Sequence, residues 1–286
     1  MISVIIPAYN QYKSLDVVLW HFERQTTLRD FEIIIVDDGS VECYDSICEK
    51  HGELKIKLIK NEVNSGRAVA RNVGIEYAQG EILIFCDCDR LPIPSFIDEH
   101  VKVLDTEESV ISIGNNAETY ESADKLKIDT KDIVRRKSIY YRAISKMYDE
   151  NGYTSSHLCW LSTMSGNMAL RKSTLDDLRF DRDFAEWGFE HFELGYRLWE
   201  KKVVFRNNLK AENIHIAHAR NNGFYEECIK NSHEIFLKKH PVKEVEYLKD
   251  FVLGEISLQE YEKKIDGNLD WMVGKEKPIK IKCFNK

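Results

Sequence analysis

The sequence predicts an α/β fold, with a mostly parallel, twisted sheet flanked by helices. Strand-like and helix-like segments alternate through the first half of the 286-residue chain. The strand-like segments are continuously apolar, which is typical of parallel strands that helices cover on both faces. Each of them ends in polar, turn-forming residues, and parallel sheets bind their ligands at this edge. A binding site is therefore expected at the carboxyl ends of the strands.

The alternation in the first half defines each predicted element in turn. The predicted strands are SVIIPAYN, FEIIIVDDGS, LKIKLIKN and EILIFCDCD. The predicted helices, which carry apolar residues at helical spacing, are SLDVVLWHFERQ, the segment around YDSICEKHG, and GRAVARNVGIEYAQG between Gly66 and Gly80. The strand ends PAYN, VDDGS and CDCD are polar and acidic, so they mark the expected site.

The second half of the chain is less regular, and two lobes in one unit are expected. RRKSIYYRAISKMY predicts a helix with a basic face, and LSTMSGNMALRKS predicts a strand and a turn. EWGFEHFELGYRLWEKK predicts a loop that opens into a helix, and VVFRNNLKAENIHIAHAR predicts two short strands. From about residue 225 the chain is rich in charged residues and predicted to be mostly helical.

Composition excludes several classes of protein. With 43% hydrophobic and 31% charged residues the chain is not disordered, and a net charge of −7 argues against nonspecific nucleic-acid binding. The N-terminal MISVIIPAYN reads as a strand rather than a signal peptide, and no apolar run approaches the ~20 residues of a membrane span. The seven cysteines fit reduced thiols of a cytoplasmic protein. The basic end KEKPIKIK is either a solvated tail or a contact with anionic lipid.

The segment ILIFCDCDRLP places two aspartates directly after a buried strand. In an extended strand Asp87 and Asp89 face the same side, and two carboxylates suit Mg²⁺ or Mn²⁺ better than a soft metal. Solvated carboxylates in a loop are the alternative. Cys86 and Cys88 read as buried thiols rather than a zinc site, because no second cysteine pair follows at finger spacing.

The segment HIAHA places His215 and His218 in a strand-like, apolar setting. Such a histidine is either a core residue or a nitrogen ligand that completes a mixed oxygen–nitrogen shell for Mn²⁺. The sequence alone does not bring His218 near Asp89.

A phosphate site is predicted at the start of one helix. The first strand is not followed by the glycine fingerprint of dinucleotide-binding proteins, and the chain has no Walker motif. NEVNSGRAVARNVG instead places Gly66, Arg67 and Arg71 at a helix N-terminus, where positive charge and free N–H groups favour a diphosphate. An ordinary basic helix face is the alternative.

The segment EWGFEHFEL contains three candidate general bases. Glu186, Glu190 and Glu193 lie near Trp187, and a carboxylate against an aromatic surface can have a raised pKa. The alternative is a solvated acidic helix start that interacts favourably with the helix dipole.

Together these motifs resemble the inverting family 2 glycosyltransferases with a GT-A fold, from Ser3 to about Arg220. The resemblance implies transfer of a sugar from a UDP-sugar to a hydroxyl acceptor, dependent on Mn²⁺ or Mg²⁺, in bacterial glycan or glycoconjugate biosynthesis. It divides the domain into a nucleotide-sugar-binding half, 1–115, and an acceptor- and metal-binding half, 116–225. Residues 226–286 would be a helical extension.

The resemblance also implies roles for individual residues. Those on the nucleotide side would be Pro7, Ala8, Tyr9, Asp38, Arg67, Arg71 and Asp87. Those against the donor sugar would be Gly166, Asn167, Trp187 and Gly188. The metal ligands would be Asp89 and His218, with Asp87 as a further candidate.

WGFEHFEL departs from the Trp-Gly-Gly-Glu-Asp segment of galactosyl- and N-acetylgalactosaminyltransferases, which it otherwise resembles. Phe189 replaces the second glycine and would fill space that relatives leave for the sugar, so donor identity does not carry over. His191 replaces the aspartate usually considered the base. Glu190 and His191 are therefore both candidate bases, with Glu190 preferred because a carboxylate can also steer an acceptor hydroxyl.

Two other functions and several acceptors stay open at this stage. A sugar-phosphate nucleotidyltransferase shares the fold class but usually has a glycine-rich loop after its first strand, whereas PAYNQYKS has no glycine. A non-catalytic nucleotide-sugar-binding partner of another glycosyltransferase is the second alternative. The acceptor of a transferase could be a glycan, a lipid-linked intermediate, a small molecule or a peptide.

Overall fold

The strands of the protein join into one mixed sheet. The computed structural model describes residues 1–186, 188–218, 223–275 and 277–281. Within these residues the strands are β1 (Ile2–Ala8), β2 (Phe31–Asp37), β3 (Ile56–Lys60), β4 (Ile82–Cys86), β5 (Arg90–Pro92), β6 (Val110–Thr119), β7 (Arg136–Lys137), β8 (Asn167–Arg171) and β9 (Val204–Ile216). They lie in the order β3-β2-β1-β4-β8-β6-β9-β5, and β7 pairs with β6.

Helices connect these strands and cover the sheet. In the described part of the chain the α-helices are α1 (Tyr12–Phe22), α2 (Asp45–Lys50), α3 (Arg67–Tyr77), α4 (Phe96–Leu104), α5 (Ile139–Ile144), α6 (Lys172–Leu175), α7 (Glu190–Glu200), α8 (Phe224–Lys239), α9 (Lys243–Glu246), α10 (Leu248–Val252) and α11 (Leu258–Lys264). The predicted alternation of strands and helices in the first half is confirmed.

Strand pairing is parallel in the first half of the sheet and mixed in the second. β1 pairs in parallel with β2 and β4, and β2 pairs in parallel with β3. β8 then lies antiparallel between β4 and β6, and β5 lies antiparallel to β9. β6 and β9 form a parallel pair. The expectation of a mostly parallel sheet therefore describes the N-terminal strands β1 to β4 better than it describes the complete sheet.

The prediction of two short strands near the end of the sheet is wrong. β9 is one strand of 13 residues along β6, with a register shift between Gly114 and Asn115. Its polar middle looks like a turn in the sequence, but Asn208 donates to the Glu99 carbonyl at 2.7 Å. The shift occurs at a glycine because a Cβ at Gly114 would collide with Asn167 and the Ala211 carbonyl.

Side chains of β1 alternate between two apolar cores on opposite faces of the sheet. Val4 and Ile6 pack in the core that includes α1, α2 and α4, whereas Ile5 packs in the core that includes α3, α5, α7 and α8. All three side chains are fully buried. Successive strand residues point to opposite faces, so a continuously apolar strand requires helices on both.

The C-terminal helices pack against the second half of the sheet domain. Phe236 of α8 contacts Trp160 edge-on, with ring centroids 5.9 Å apart. The buried carboxylate of Glu262 in α11 accepts hydrogen bonds from the His157 backbone N–H at 2.8 Å and the Trp271 indole at 3.2 Å. Aromatic packing by Phe236 and the hydrogen bonds of Glu262 therefore hold the C-terminal helices against the segment before β8.

The described cysteines are free thiols: Cys43, Cys48, Cys86, Cys88, Cys159 and Cys228. Burial raises the pKa of the Cys86 and Cys88 thiols well above their usual value, which disfavours the thiolate that zinc binding requires. This environment agrees with the prediction of buried thiols. Cys283 lies outside the described residues.

Candidate active site

A cavity of about 550 Å³ opens at the carboxyl ends of β1, β2 and β4. The loop before α3, the segment before α7 and the end of β9 complete its wall. The predicted site residues that line it are Pro7, Ala8, Tyr9, Asp38, Arg67, Arg71, Asp87, Asp89, Gly188, His191 and His218. The strand-end argument therefore located the cavity from local sequence alone.

Other predicted site residues lie behind this wall. Gly166 lies under the carboxylate of Asp87, because a Cβ there would collide with Asp87 and Arg90. The fully buried Asn167 uses its amide to donate to the Asn115 carbonyl at 2.9 Å and the Ala211 carbonyl at 3.2 Å. Asn167 thus supports the strands beneath the cavity and does not line it. Trp187 lies outside the described residues.

Asp89, His215 and His218 come together at one end of the cavity. One ligand atom of each lies within 4.8 Å of the others. The carboxylate Oδ2 of Asp89 is 3.5 Å from His215 Nε2 and 3.9 Å from His218 Nδ1. One carboxylate oxygen and two imidazole nitrogens are a donor set that suits a divalent transition ion. These residues could therefore hold a metal.

Pairing of β5 with β9 brings this group together. Arg90 pairs with His215, and the Ile216 N–H donates to the Asp89 carbonyl at 2.9 Å. Burial favours a raised pKa for Asp89, but the hydrogen bond from His215 and the nearby positive charges outweigh it and lower the pKa to about 2. Asp89 is therefore ionised and available as an oxygen ligand at neutral pH.

Asp87 lines the same cavity as Asp89 but lies outside that group of ligand atoms. β4 ends at Cys86 and a turn follows, which breaks the strand alternation. The Asp87 carboxylate accepts from Arg71 at 2.8 Å and lies 3.4 Å from Arg90 Nε. Burial acts to raise its pKa, but the two guanidinium groups lower it. Its oxygens are thus occupied by arginines.

Arg71 lies buried between two carboxylates. Its guanidinium, 1% exposed, donates to Asp87 at 2.8 Å and to Glu190 at 3.0 Å. Burial disfavours the charged guanidinium, but Asp87 and Glu190 outweigh this and raise the pKa of Arg71. Since a buried charge requires compensation, Asp87, Arg71 and Glu190 form one ionic network that joins α3, the β4 end and α7.

Glu190, the preferred candidate base, lies in this network and not on the cavity wall. Its side chain is 1% exposed, and Oε2 accepts no hydrogen bond from the described residues. Burial favours a raised pKa, yet His191, Arg67 and Arg71 hold the pKa of Glu190 well below its usual value. A carboxylate with so low a pKa accepts a proton poorly.

His191 lines the cavity beside Glu190. Its side chain is 17% exposed, and its Nδ1 lies 3.6 Å from Glu190 Oε1. The turn before α7 positions it, because Gly188 and Phe189 both have positive φ, of 109° and 65°. Phe189 thus adopts a conformation that favours the glycine found in the similar family segment. Its buried ring lines the cavity and packs 5.4 Å from that of Phe192.

Asp38 holds the loop that precedes α3. Its carboxylate accepts from Asn61 Nδ2 at 2.8 Å, from the Ser65 N–H at 3.1 Å and from the Gly66 N–H at 2.8 Å. These bonds fix the loop that presents Arg67 to the cavity. Tyr9, 47% exposed, also lines the cavity, where its ring is accessible to a planar ligand.

The remaining glutamates of the EWGFEHFEL segment have separate environments. Glu186 is exposed and lines the cavity. Glu193 is buried and accepts two hydrogen bonds from Arg197, at 2.6 and 2.7 Å. Glu193 is therefore structural, and its burial differs from the solvated helix start of the alternative interpretation.

Sequence reasoning missed two charged residues of the cavity. Arg90 directly follows CDCD, so its position beside the aspartates was a usable signal. Glu118 lines the cavity from β6, where it pairs with Arg136 at 3.5 Å. No local pattern marks Glu118, because only the register of β6 against β9 brings it to the site.

A sequence model of the family described as Glycosyl transferase family 2 matches residues 3–171. The chain belongs to glycosyl transferase family 2. The resemblance inferred from the motifs is thereby confirmed.

Relatives in this family cover most of the chain. The uncharacterized glycosyltransferase YfnE of Bacillus subtilis is 27% identical over 256 residues, which are 77% of this chain and 65% of YfnE. Chondroitin synthase of Escherichia coli is 28% identical over 228 residues, 72% of this chain and 33% of the synthase. The chain thus spans less than two thirds of either relative.

Solved structures confirm the predicted GT-A fold for this family 2 chain. S. aureus TarS superposes with a TM-score of 0.60 and 19% identity, over 87% of this chain and 43% of TarS. GalNAc-T7, solved with UDP, GalNAc and Mn²⁺, superposes with a TM-score of 0.60 and 16% identity. The match covers 98% of this chain and 58% of the GalNAc-T7 chain. No helix within the described residues has the length and apolarity that crossing a membrane requires.

Proposed function

We propose that this family 2 chain is an inverting glycosyltransferase that moves a sugar from a UDP-sugar to a hydroxyl acceptor, with Mn²⁺ or Mg²⁺ bound. The observation that carries the proposal is the meeting of Asp89 and His218 in the cavity at the strand ends. These two residues are 129 positions apart by number, yet they line the same cavity as Arg67, whose loop suits a diphosphate.

Different residues of the cavity wall would bind the base, the phosphates and the sugar of a nucleotide sugar. Pro7, Ala8 and Tyr9 would hold the base, with the tyrosine ring at the rim, and Arg67 would face the phosphates. The fold neighbour GalNAc-T7 was solved with UDP and Mn²⁺, which supports a uridine nucleotide and a divalent ion here. Gly188 and Phe189 would border the donor sugar.

Asp89 and His218 would hold the divalent ion. When bound, it would neutralise the negative charge that develops on the diphosphate leaving group. Asp89 suits this role because its carboxylate is ionised at neutral pH. Asp87 would act indirectly, since Arg71 and Arg90 hold its carboxylate in place.

His191, rather than Glu190, would accept the proton of the acceptor. The hydroxyl oxygen attacks the anomeric carbon and its proton passes to the imidazole, while the bond from that carbon to the diphosphate oxygen breaks and leaves its electron pair on UDP. His191 faces the cavity, whereas Glu190 lies behind it. The negative charge of Glu190 would stabilise the imidazolium that forms.

The proposed biological role is the synthesis of a bacterial glycan or glycoconjugate. Among the relatives, the chondroitin synthase has a polysaccharide product by name. Cytoplasmic localisation is part of the proposal, because the described cysteines are free thiols. The expected lipid contact concerns the tail KEKPIKIK, which lies partly outside the described residues.

A panel of nucleotide sugars tests the proposal. Incubation with and without Mn²⁺ should reveal slow, metal-dependent hydrolysis of one UDP-sugar even without acceptor, measured as UDP release. If no UDP-sugar binds or is hydrolysed, the proposal fails. Pyrophosphate release from UTP and a sugar phosphate would instead support a nucleotidyltransferase.

A further inference from the structure

We infer that His215 is a third protein ligand of the divalent ion, and that the resulting nitrogen-rich site selects Mn²⁺ over Mg²⁺. The inference deepens the proposed function, and rests on it for the presence of an ion at Asp89. It goes beyond the Asp89 and His218 pair that the resemblance implies.

The position of His215 fits a shared ion. Its Nε2 is 3.5 Å from Asp89 Oδ2, and its ring centroid is 5.6 Å from that of His218. Ligand atoms bound to one ion at about 2.1 Å are roughly 3 to 4 Å apart, so small rotations would bring a set within 4.8 Å onto one centre. His215 is closer to Asp89 than His218 is.

The neighbours of His215 across the sheet have partners of their own. In the register of the strands His215 lies between Glu118 of β6 and Arg90 of β5. Glu118 pairs with Arg136 at 3.5 Å, and Arg90 donates to Asn116 at 2.9 Å. The pairing of β9 with β5 therefore places the His215 imidazole beside the Asp89 carboxylate in the cavity.

The charge of the donor set determines the ion that it prefers. Asp87 is held by Arg71 and Arg90, so the group contributes a single carboxylate oxygen and two imidazole nitrogens. Mg²⁺ prefers oxygen ligands and gives up its water reluctantly, whereas Mn²⁺ accepts mixed nitrogen and oxygen ligands. With one anionic ligand the ion would also keep net positive charge for a diphosphate.

Direct measurement of ion binding tests the inference on the full chain. Free Mn²⁺ is followed by electron paramagnetic resonance as the protein is titrated in the presence of UDP, and Mg²⁺ is tested by competition. His215→Ala and His218→Ala should each weaken Mn²⁺ binding by at least ~10-fold. His157→Ala is the matched control, because this imidazole packs against Trp199 and does not line the cavity.

A second variant tests selectivity. His215→Asp replaces a nitrogen by an oxygen ligand, so the ratio of Mn²⁺ to Mg²⁺ affinity should fall. If a His215 variant does not melt cooperatively, His215→Gln is measured in its place. The inference is overturned if folded His215 variants bind Mn²⁺ as tightly as the wild type, or if the wild type binds Mg²⁺ equally well. Ion binding requires neither donor sugar nor acceptor, so these outcomes are separate from failure to detect sugar transfer.

Discussion

Asp87 and Asp89 are separated by one residue, but they belong to two different regions of the cleft. Asp87 joins the buried network of Arg71 and Glu190. Asp89 faces two imidazoles in the region that could hold a metal. The first region is an ionic network in which each charge compensates another. In the second region, one carboxylate oxygen and two imidazole nitrogens lie close enough together to bind one ion.

The comparison shows that neighbouring residues of one type can serve stability and chemistry separately. A buried ionic network is costly to break, because it leaves an uncompensated charge. A group of ligands around an ion site contributes little to folding without the ion. We therefore expect substitutions in the two regions to separate stability from activity.

The largest expected effect concerns Asp89. Asp89→Asn should lower UDP-sugar hydrolysis by about 10³-fold, because the proposed ion would lose its carboxylate ligand from the group of Asp89, His215 and His218. The urea midpoint should fall less than it does in the matched variant Asp87→Asn. Asp89 has His215 and His218 as its neighbours, whereas Asp87 loses its ion pairs with two arginines. Equal losses of activity and stability in both variants would break the comparison.

Arg71 should have the next largest effect, on stability. Arg71→Met leaves Glu190 buried without its guanidinium partner and should cost about 3 kcal/mol of unfolding free energy, measured by urea denaturation. Arg67→Met, in the same helix and on the same cavity but partly exposed, should cost much less.

A double variant checks the cause of this loss. Arg71→Met combined with Glu190→Met removes both buried charges, so it should regain part of the stability that the single variant loses. A double variant less stable than the sum of its parts would contradict the ionic explanation.

The two regions also differ in how far the sequence predicts them. Local alternation and turn residues predict where β1, β2 and β4 end and where α3 begins. The site residues predicted at these positions line the cavity. The group at Asp89 depends on pairing β5 with β9, whose residues are far apart in the chain. No local pattern encodes that pairing, and the polar middle of β9 resembles a turn.

Burial of charged residues is a second limit of sequence reasoning. Arg71 was expected to face phosphate as part of a basic helix start, yet it is enclosed by carboxylates from two other elements. Glu190 was preferred over His191 as the base, and only the packing of α7 shows which of the two faces the cavity. Local sequence does not distinguish these neighbours, because their exposure depends on tertiary contacts.

A third, smaller effect separates His191 from Glu190. His191→Ala should lower the turnover rate at saturating donor by about 10²-fold, because it removes the proton acceptor. His191→Asp restores the residue type of the similar family segment and should recover part of the rate. A fully active His191→Ala variant would exclude this residue as the base.

The smallest predicted effect is a change in acid sensitivity. The pKa of Glu190 in the folded protein lies below its ordinary value of 4.5, so its stabilisation is fully present above that pH and is lost as the pH falls toward the folded pKa. Glu190→Gln lacks this titration. The difference in unfolding free energy between wild type and Glu190→Gln should therefore shrink between neutral pH and about pH 3. Glu186→Gln, at an exposed position, serves as the control, and a pH-independent difference would show that the Arg71 network does not hold Glu190 ionised.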